Sequence, residues 1–104
     1  MKRVIIRPEA DRDFDLAASH YASVHSVVAE DFLREVNTTY ARISAMPGIG
    51  SPRLSQEVSV GGLRSHSLEA FPYTIVYFER EDRIDVVRIL HMHRDIFKLL
   101  LGVE

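Results

Sequence analysis

The amino-acid sequence predicts an α+β fold: an N-terminal strand, an antiparallel helix hairpin, and a sheet that ends in a three-strand meander. The hairpin packs on one face of that antiparallel sheet. Three observations lead there. Apolar residues recur at helical spacing between Pro8 and Met46, while Leu63 to His93 reads as three strands separated by turns. The helical and strand blocks do not interleave, which separates this pattern from a parallel α/β fold. The 104 residues suit one domain, residues 1–104.

Each element has its own signal. Residues 2–7, KRVIIR, form a short strand with a Val-Ile-Ile centre. Pro8 fits the first helical turn, where its missing N–H costs nothing, and Glu9, Asp11 and Asp13 bring negative charge to the positive end of the helix dipole. Ala10, Phe14, Ala17 and Tyr21 make the stripe of a helix over residues 8–22. Ser26 is placed to cap the second helix, striped by Val28, Phe32, Val36, Tyr40 and Ile43 and stopped at Met46-Pro47-Gly48. The short connection makes the two helices an antiparallel hairpin. Residues 47–58, PGIGSPRLSQEV, are rich in turn formers and read as one long loop. Strands follow at residues 63–68, 73–80 and 83–93, with Glu81-Asp82 closing the last hairpin.

The last two strands are apolar on both sides. Strict alternation puts Tyr73, Ile75 and Tyr77 on one face and Thr74, Val76 and Phe78 on the other. In the final strand it groups Ile84, Val86, Arg88, Leu90 and Met92 against Asp85, Val87, Ile89, His91 and His93. A sheet with one wet face alternates apolar with polar, and these strands do not. The hairpin covers one face. For the other there remains only the C-terminal DIFKLLLGVE, where Asp95 can cap a short helix. Either this tail completes the fold or a partner chain covers an apolar sheet surface.

The totals exclude several classes. Without cysteine there is neither a disulfide nor a thiolate metal site, and no His set has convincing metal spacing. No cofactor is expected. The first residues lack the apolar region of a signal peptide and no segment is long enough to span a bilayer, so the reading is a cytoplasmic protein without a membrane partner. A formal net charge of -2 argues against direct nucleic-acid binding.

The segments GGLRSHSL, FPYTIVYF and VVRILHMHRDI, after a hairpin ending in MPGIGSPR, resemble the toxins of the RelE/ParE superfamily of type II toxin–antitoxin systems. The likeness runs from VIIRPEADRDF to HRDI and is greater to the ParE branch, in the Gly-Leu-Arg and Arg-Ile-Leu-His strands. The resemblance implies a sheet with the hairpin on one side and a cognate, ParD-like antitoxin that wraps and neutralises the toxin. For ParE-like members it implies poisoning of DNA gyrase; for RelE-like members, ribosome-dependent cleavage of mRNA. An inert member that only binds its antitoxin is a third reading.

RNA cleavage needs a base, an acid and cations for the phosphate. Arg53, Arg64, His66, Arg88, His91, His93 and Arg94 are the available groups, and with Tyr73 they are the candidate partner- or target-binding residues. None is assigned a catalytic role. RelE-like nucleases typically carry an arginine in the strand matching Tyr73–Phe78, where this chain has none, and they are more basic. Those departures favour a non-enzymatic toxin. Arg64 and Arg88 also have a purely structural reading, as partners of Glu69, Asp85 or Glu57.

Overall fold

The computed structural model describes residues 1–104. The first strand, β1 (Arg3–Ile6), stops at Arg7-Pro8, and proline opens α1 (Pro8–Val24) with Glu9 and Asp11 in its first turn. His25 turns the backbone to an extended conformation, and its Nδ1 accepts the Val27 N–H at 3.1 Å. His25 rather than Ser26 therefore caps α2 (Ser26–Ala45), because an imidazole nitrogen can accept an N–H as a hydroxyl can. α2 is fixed to β1 by two bonds: the Lys2 N–H donates to the Ser44 carbonyl at 3.3 Å, and the Ser44 hydroxyl donates to the Lys2 carbonyl.

The turn-rich segment contains more structure than its composition suggests. Pro47–Ile49 forms a 3-10 turn and Arg53–Glu57 a short helix, α3, instead of one continuous loop. β2 (Leu63–Ser67), β3 (Tyr73–Glu79) and β4 (Arg83–His91) form the expected antiparallel meander. β1 joins β4 in parallel, giving the order β1-β4-β3-β2 and a mixed sheet. The parallel pairing follows from the crossover through the helix hairpin.

The alternation inferred for β4 holds only as far as Val86. Tyr77 pairs with Val86 and Val76 with Arg88, so Val87 is the extra residue of a β-bulge. The bulge resets the parity. Ile84, Val86 and Ile89 share the hairpin face with Ile75 and Tyr77, while Val87 and Leu90 share the opposite face with Val76 and Phe78. His91, opposite Tyr73, lies on the hairpin face.

The second face is not left for a partner, which corrects the expected uncovered apolar sheet surface. Leu54 and Val58 of the α3 region and Leu100 of α4 (Ile96–Leu100) pack on Leu63, Val76, Phe78, Val87 and Leu90. Val76 and Leu100 are fully buried and Phe78 is only 3% exposed. Asp95 caps α4 as expected, its Oδ1 accepting the Lys98 N–H at 3.1 Å. The sequence estimate of available cover missed α3, because five residues between turn formers leave no readable helical period.

Tyr77 couples the two layers to the segment after α2. Its hydroxyl donates to the Pro47 carbonyl at 2.6 Å and accepts the Gly50 N–H at 2.9 Å. Burial pushes the phenol up from its ordinary pKa. A Cβ at residue 50 would lie 2.5 Å from that hydroxyl, so only glycine fits without displacing the ring. Gly50→Ala is expected to destabilise the fold by about 1–3 kcal/mol, the usual range for overpacking. An unchanged denaturation midpoint would show that the ring yields freely.

Candidate functional site

β4 projects past β1, so beyond Val86 one edge of the strand has no strand neighbour. The bulge turns the Ile89 N–H toward that edge, and Asp13 of α1 takes it. The Asp13 carboxylate accepts Ile89 N–H at 3.0 Å, Arg88 Nε at 2.7 Å and Arg88 Nη2 at 2.9 Å. A carboxylate with three charge-assisted or backbone donors is well satisfied. The pair keeps the Arg88 guanidinium above its ordinary pKa, chiefly through the Asp13 hydrogen bond. Arg88 thus has the structural role open to it, but with Asp13 in place of Glu69, Asp85 or Glu57.

Four of the candidate residues come together beside this bridge. Tyr73 and His91 meet edge to face with ring centroids 5.0 Å apart, and the His91 and His93 rings are 5.2 Å apart. The His93 N–H donates to His91 Nδ1 at 3.1 Å, and the Arg94 N–H to the His91 carbonyl at 3.0 Å. Tyr73, His91 and Arg94 line a cleft of about 120 Å³ between α1 and the end of β4. Burial raises the Tyr73 phenol pKa and the nearby Arg94 charge opposes that rise.

The other three candidates lie elsewhere. Arg64 pairs with Tyr77, at the far end of β3 from Tyr73, and donates to the Gly50 carbonyl at 2.7 Å. It helps hold the 47–50 segment and has no carboxylate partner. His66 sits opposite Ile75, and exposed Arg53 forms an i,i+4 pair with Glu57 at 3.3 Å. Pairs of that kind contribute little.

Two polar clusters escaped sequence reasoning. Arg7 grips Asp85 with two bonds of 2.9 Å, and Arg80 adds two more while lying 4.1 Å from the Phe78 ring centroid. Glu35 of α2 accepts the Ala70 N–H at 3.1 Å and the Glu69 N–H, tying the hairpin to the β2–β3 turn. The available signal was only an acidic residue beside an apolar one, which does not name its partner.

Apolar surface remains open on the hairpin, as well as at Ile5 of β1, at Met92, and at Phe97 and Leu101 near the C-terminus. Phe14, Ala18, Ala22, Ala29 and Leu33 line an outer groove of about 340 Å³ between α1 and α2. A second hollow of about 160 Å³ continues it past Phe14 and Leu33 toward Ile6 and Tyr40. Leu33 is 47% exposed and Leu16, on the outside of α1, 68%.

A small mixed sheet crossed by a helix hairpin, with Arg88 and Arg64 engaged internally and an apolar groove outside, places the chain in the class of compact α+β domains. The family profile described as ParE toxin of type II toxin-antitoxin system, parDE, matches residues 4–96, and the chain belongs to that family. Its fold is similar to a solved structure titled "Chromosomal ParDE TA system from P. aeruginosa", with a TM-score of 0.74 and 20% identity. That match covers 89% of this chain and 98% of the other. Among curated proteins no sequence matches. No helix is long and apolar enough to cross a membrane.

Asp13→Ala is expected to cost about 2–4 kcal/mol, since it leaves a largely buried guanidinium and a backbone N–H without partners. Arg88→Ala should cost less, because Asp13 keeps Ile89. Equal losses in chemical denaturation would contradict this order. The Asp85 carboxyl is held below the ordinary aspartate range, first by the Arg7 hydrogen bond, with Arg80 adding to it and burial opposing. Between its folded and unfolded pKa values the unfolded chain binds more protons, so stability rises with pH there. This contribution is complete above the ordinary range of about 4 and disappears as pH falls through the lower folded value. Asp85→Asn should be less stable at neutral pH and flatten the acid limb of the stability curve.

Proposed function

We propose that residues 1–104 form the toxin of a type II toxin–antitoxin pair, acting on DNA gyrase by binding and neutralised by a ParD-like antitoxin. The family match over residues 4–96 carries this reading. The structure supports the non-enzymatic branch. The β3 stretch from Tyr73 to Phe78 contains no cation, Arg88 is taken by Asp13, and Arg64 is turned onto loop carbonyls. A ribosome-directed nuclease needs such cations free for RNA.

The antitoxin would dock in the outer groove between α1 and α2, where Phe14 and Leu33 join two neighbouring hollows. An amphipathic helix suits such a groove, since its apolar stripe can lie along the alanine floor. The place of action would be the cytoplasm.

Two measurements test the reading. Expression without antitoxin should arrest growth, and purified chain should make gyrase accumulate cleaved DNA. Cleavage of mRNA at the ribosome with intact DNA would assign the chain to the nuclease branch, and no arrest at all to an inert binder. Leu33→Glu should keep the melting temperature yet weaken antitoxin binding by roughly 30-fold or more, the loss typical of an interface anchor. Unchanged affinity would move the docking surface elsewhere.

A further inference from the structure

The cleft at the end of β4 lies apart from the outer groove proposed for the antitoxin, and three unlike donors line it. The Tyr73 hydroxyl, His91 Nε2 and the Arg94 guanidinium make no hydrogen bond within the chain, and Arg94 enters no ion pair. His91 Nδ1 is already an acceptor for the His93 N–H, so in the neutral ring the proton is on Nε2 and that atom is a donor. The Arg94 N–H bonds the His91 carbonyl, and Arg94 lines the same cleft as the Tyr73 and His91 rings. Asp13 also borders the cleft, but its charge is answered by Arg88 and the Ile89 N–H.

We infer that this cleft binds a phosphate monoester, with Arg94, His91 and Tyr73 each donating to a different non-bridging oxygen. Its volume of about 120 Å³ admits a phosphate group but no folded ligand. A planar carboxylate offers two oxygens in one plane, whereas a tetrahedral phosphate presents three in different directions, matching donors from a strand end, its pairing partner and a turn. Phosphate also rewards a guanidinium through charge-assisted bonds. The site binds and holds; no bond is made or broken there. A nucleotide monoester offers three non-bridging oxygens, whereas the diester backbone of a nucleic-acid strand offers two, so the three donors select the monoester.

The experiment is an NMR titration of isotope-labelled full chain with inorganic phosphate, a nucleoside 5′-monophosphate and a short single-stranded oligonucleotide. Saturable shifts of the His91 imidazole and the Arg94 side chain are expected. Arg94→Gln should weaken binding roughly tenfold or more, as loss of a charge-assisted bond does, and Tyr73→Phe severalfold. Arg94 is exposed, so its variant should keep the wild-type melting curve. Tighter binding of the monophosphate than of the oligonucleotide, whose internal phosphates are diesters, is expected, and the reverse order overturns the assignment. Shifts centred on Arg53 or Arg64, equal affinity in Arg94→Gln, or no saturation by any of the three overturns the assignment. The test uses neither gyrase nor antitoxin, so its failure leaves the proposed function untouched.

Discussion

The bridge from Asp13 to Arg88 and the Ile89 N–H is the constraint on which the rest of the architecture depends. β4 is the longest strand, and β1 accompanies it only from Arg83 to Val86. Past that point one edge of the strand would offer unpaired backbone groups, which a small domain cannot leave buried without partners. The extra residue at Val87 rotates Ile89 to that edge, and α1 brings a carboxylate to it. The helix therefore completes the sheet as well as covering it. With α1 fixed in this way, its groove with α2 faces outward on one side and its contact with Tyr73 and His91 closes a cleft on the other.

How far the sequence reveals this depends on the range of each signal. The hairpin, the meander and the Asp95 cap were legible because each rests on spacing within a few residues. The faces of β3 were legible for the same reason. The faces of β4 were not, since a bulge leaves no mark when the inserted residue is a valine like its neighbours. One shifted residue then moved every later side chain to the other face. The cover provided by α3 was hidden in turn-forming composition, and so the sheet looked more exposed than it is.

The candidate residues divide along the same line. Tyr73, His91, His93 and Arg94 were named from residue type and fell together because β3 and β4 end side by side. Arg64 and Arg88 looked equivalent as cations among apolar strand residues, yet one serves loop carbonyls and the other an aspartate 75 residues away. Pairings of that length are not encoded in spacing. They arise from which elements the topology brings into contact, and no local pattern specifies Asp13 as the partner.

The need for a partner chain also changes its physical basis. Both sheet faces are closed by the chain itself, one by the hairpin and the other by α3 and α4. An antitoxin is therefore not required to complete a core. What the hairpin leaves open is a groove floored by alanines, which forfeits side-chain packing that a larger residue would supply from within. The fold is thus finished internally, and the groove is a feature of its outer surface. The groove and the core share residues on one side only: Phe14 and Ala18 also pack against the buried cluster, with Phe14 stacked on Phe32. Leu33, by contrast, stands 47% exposed and can change without disturbing the sheet.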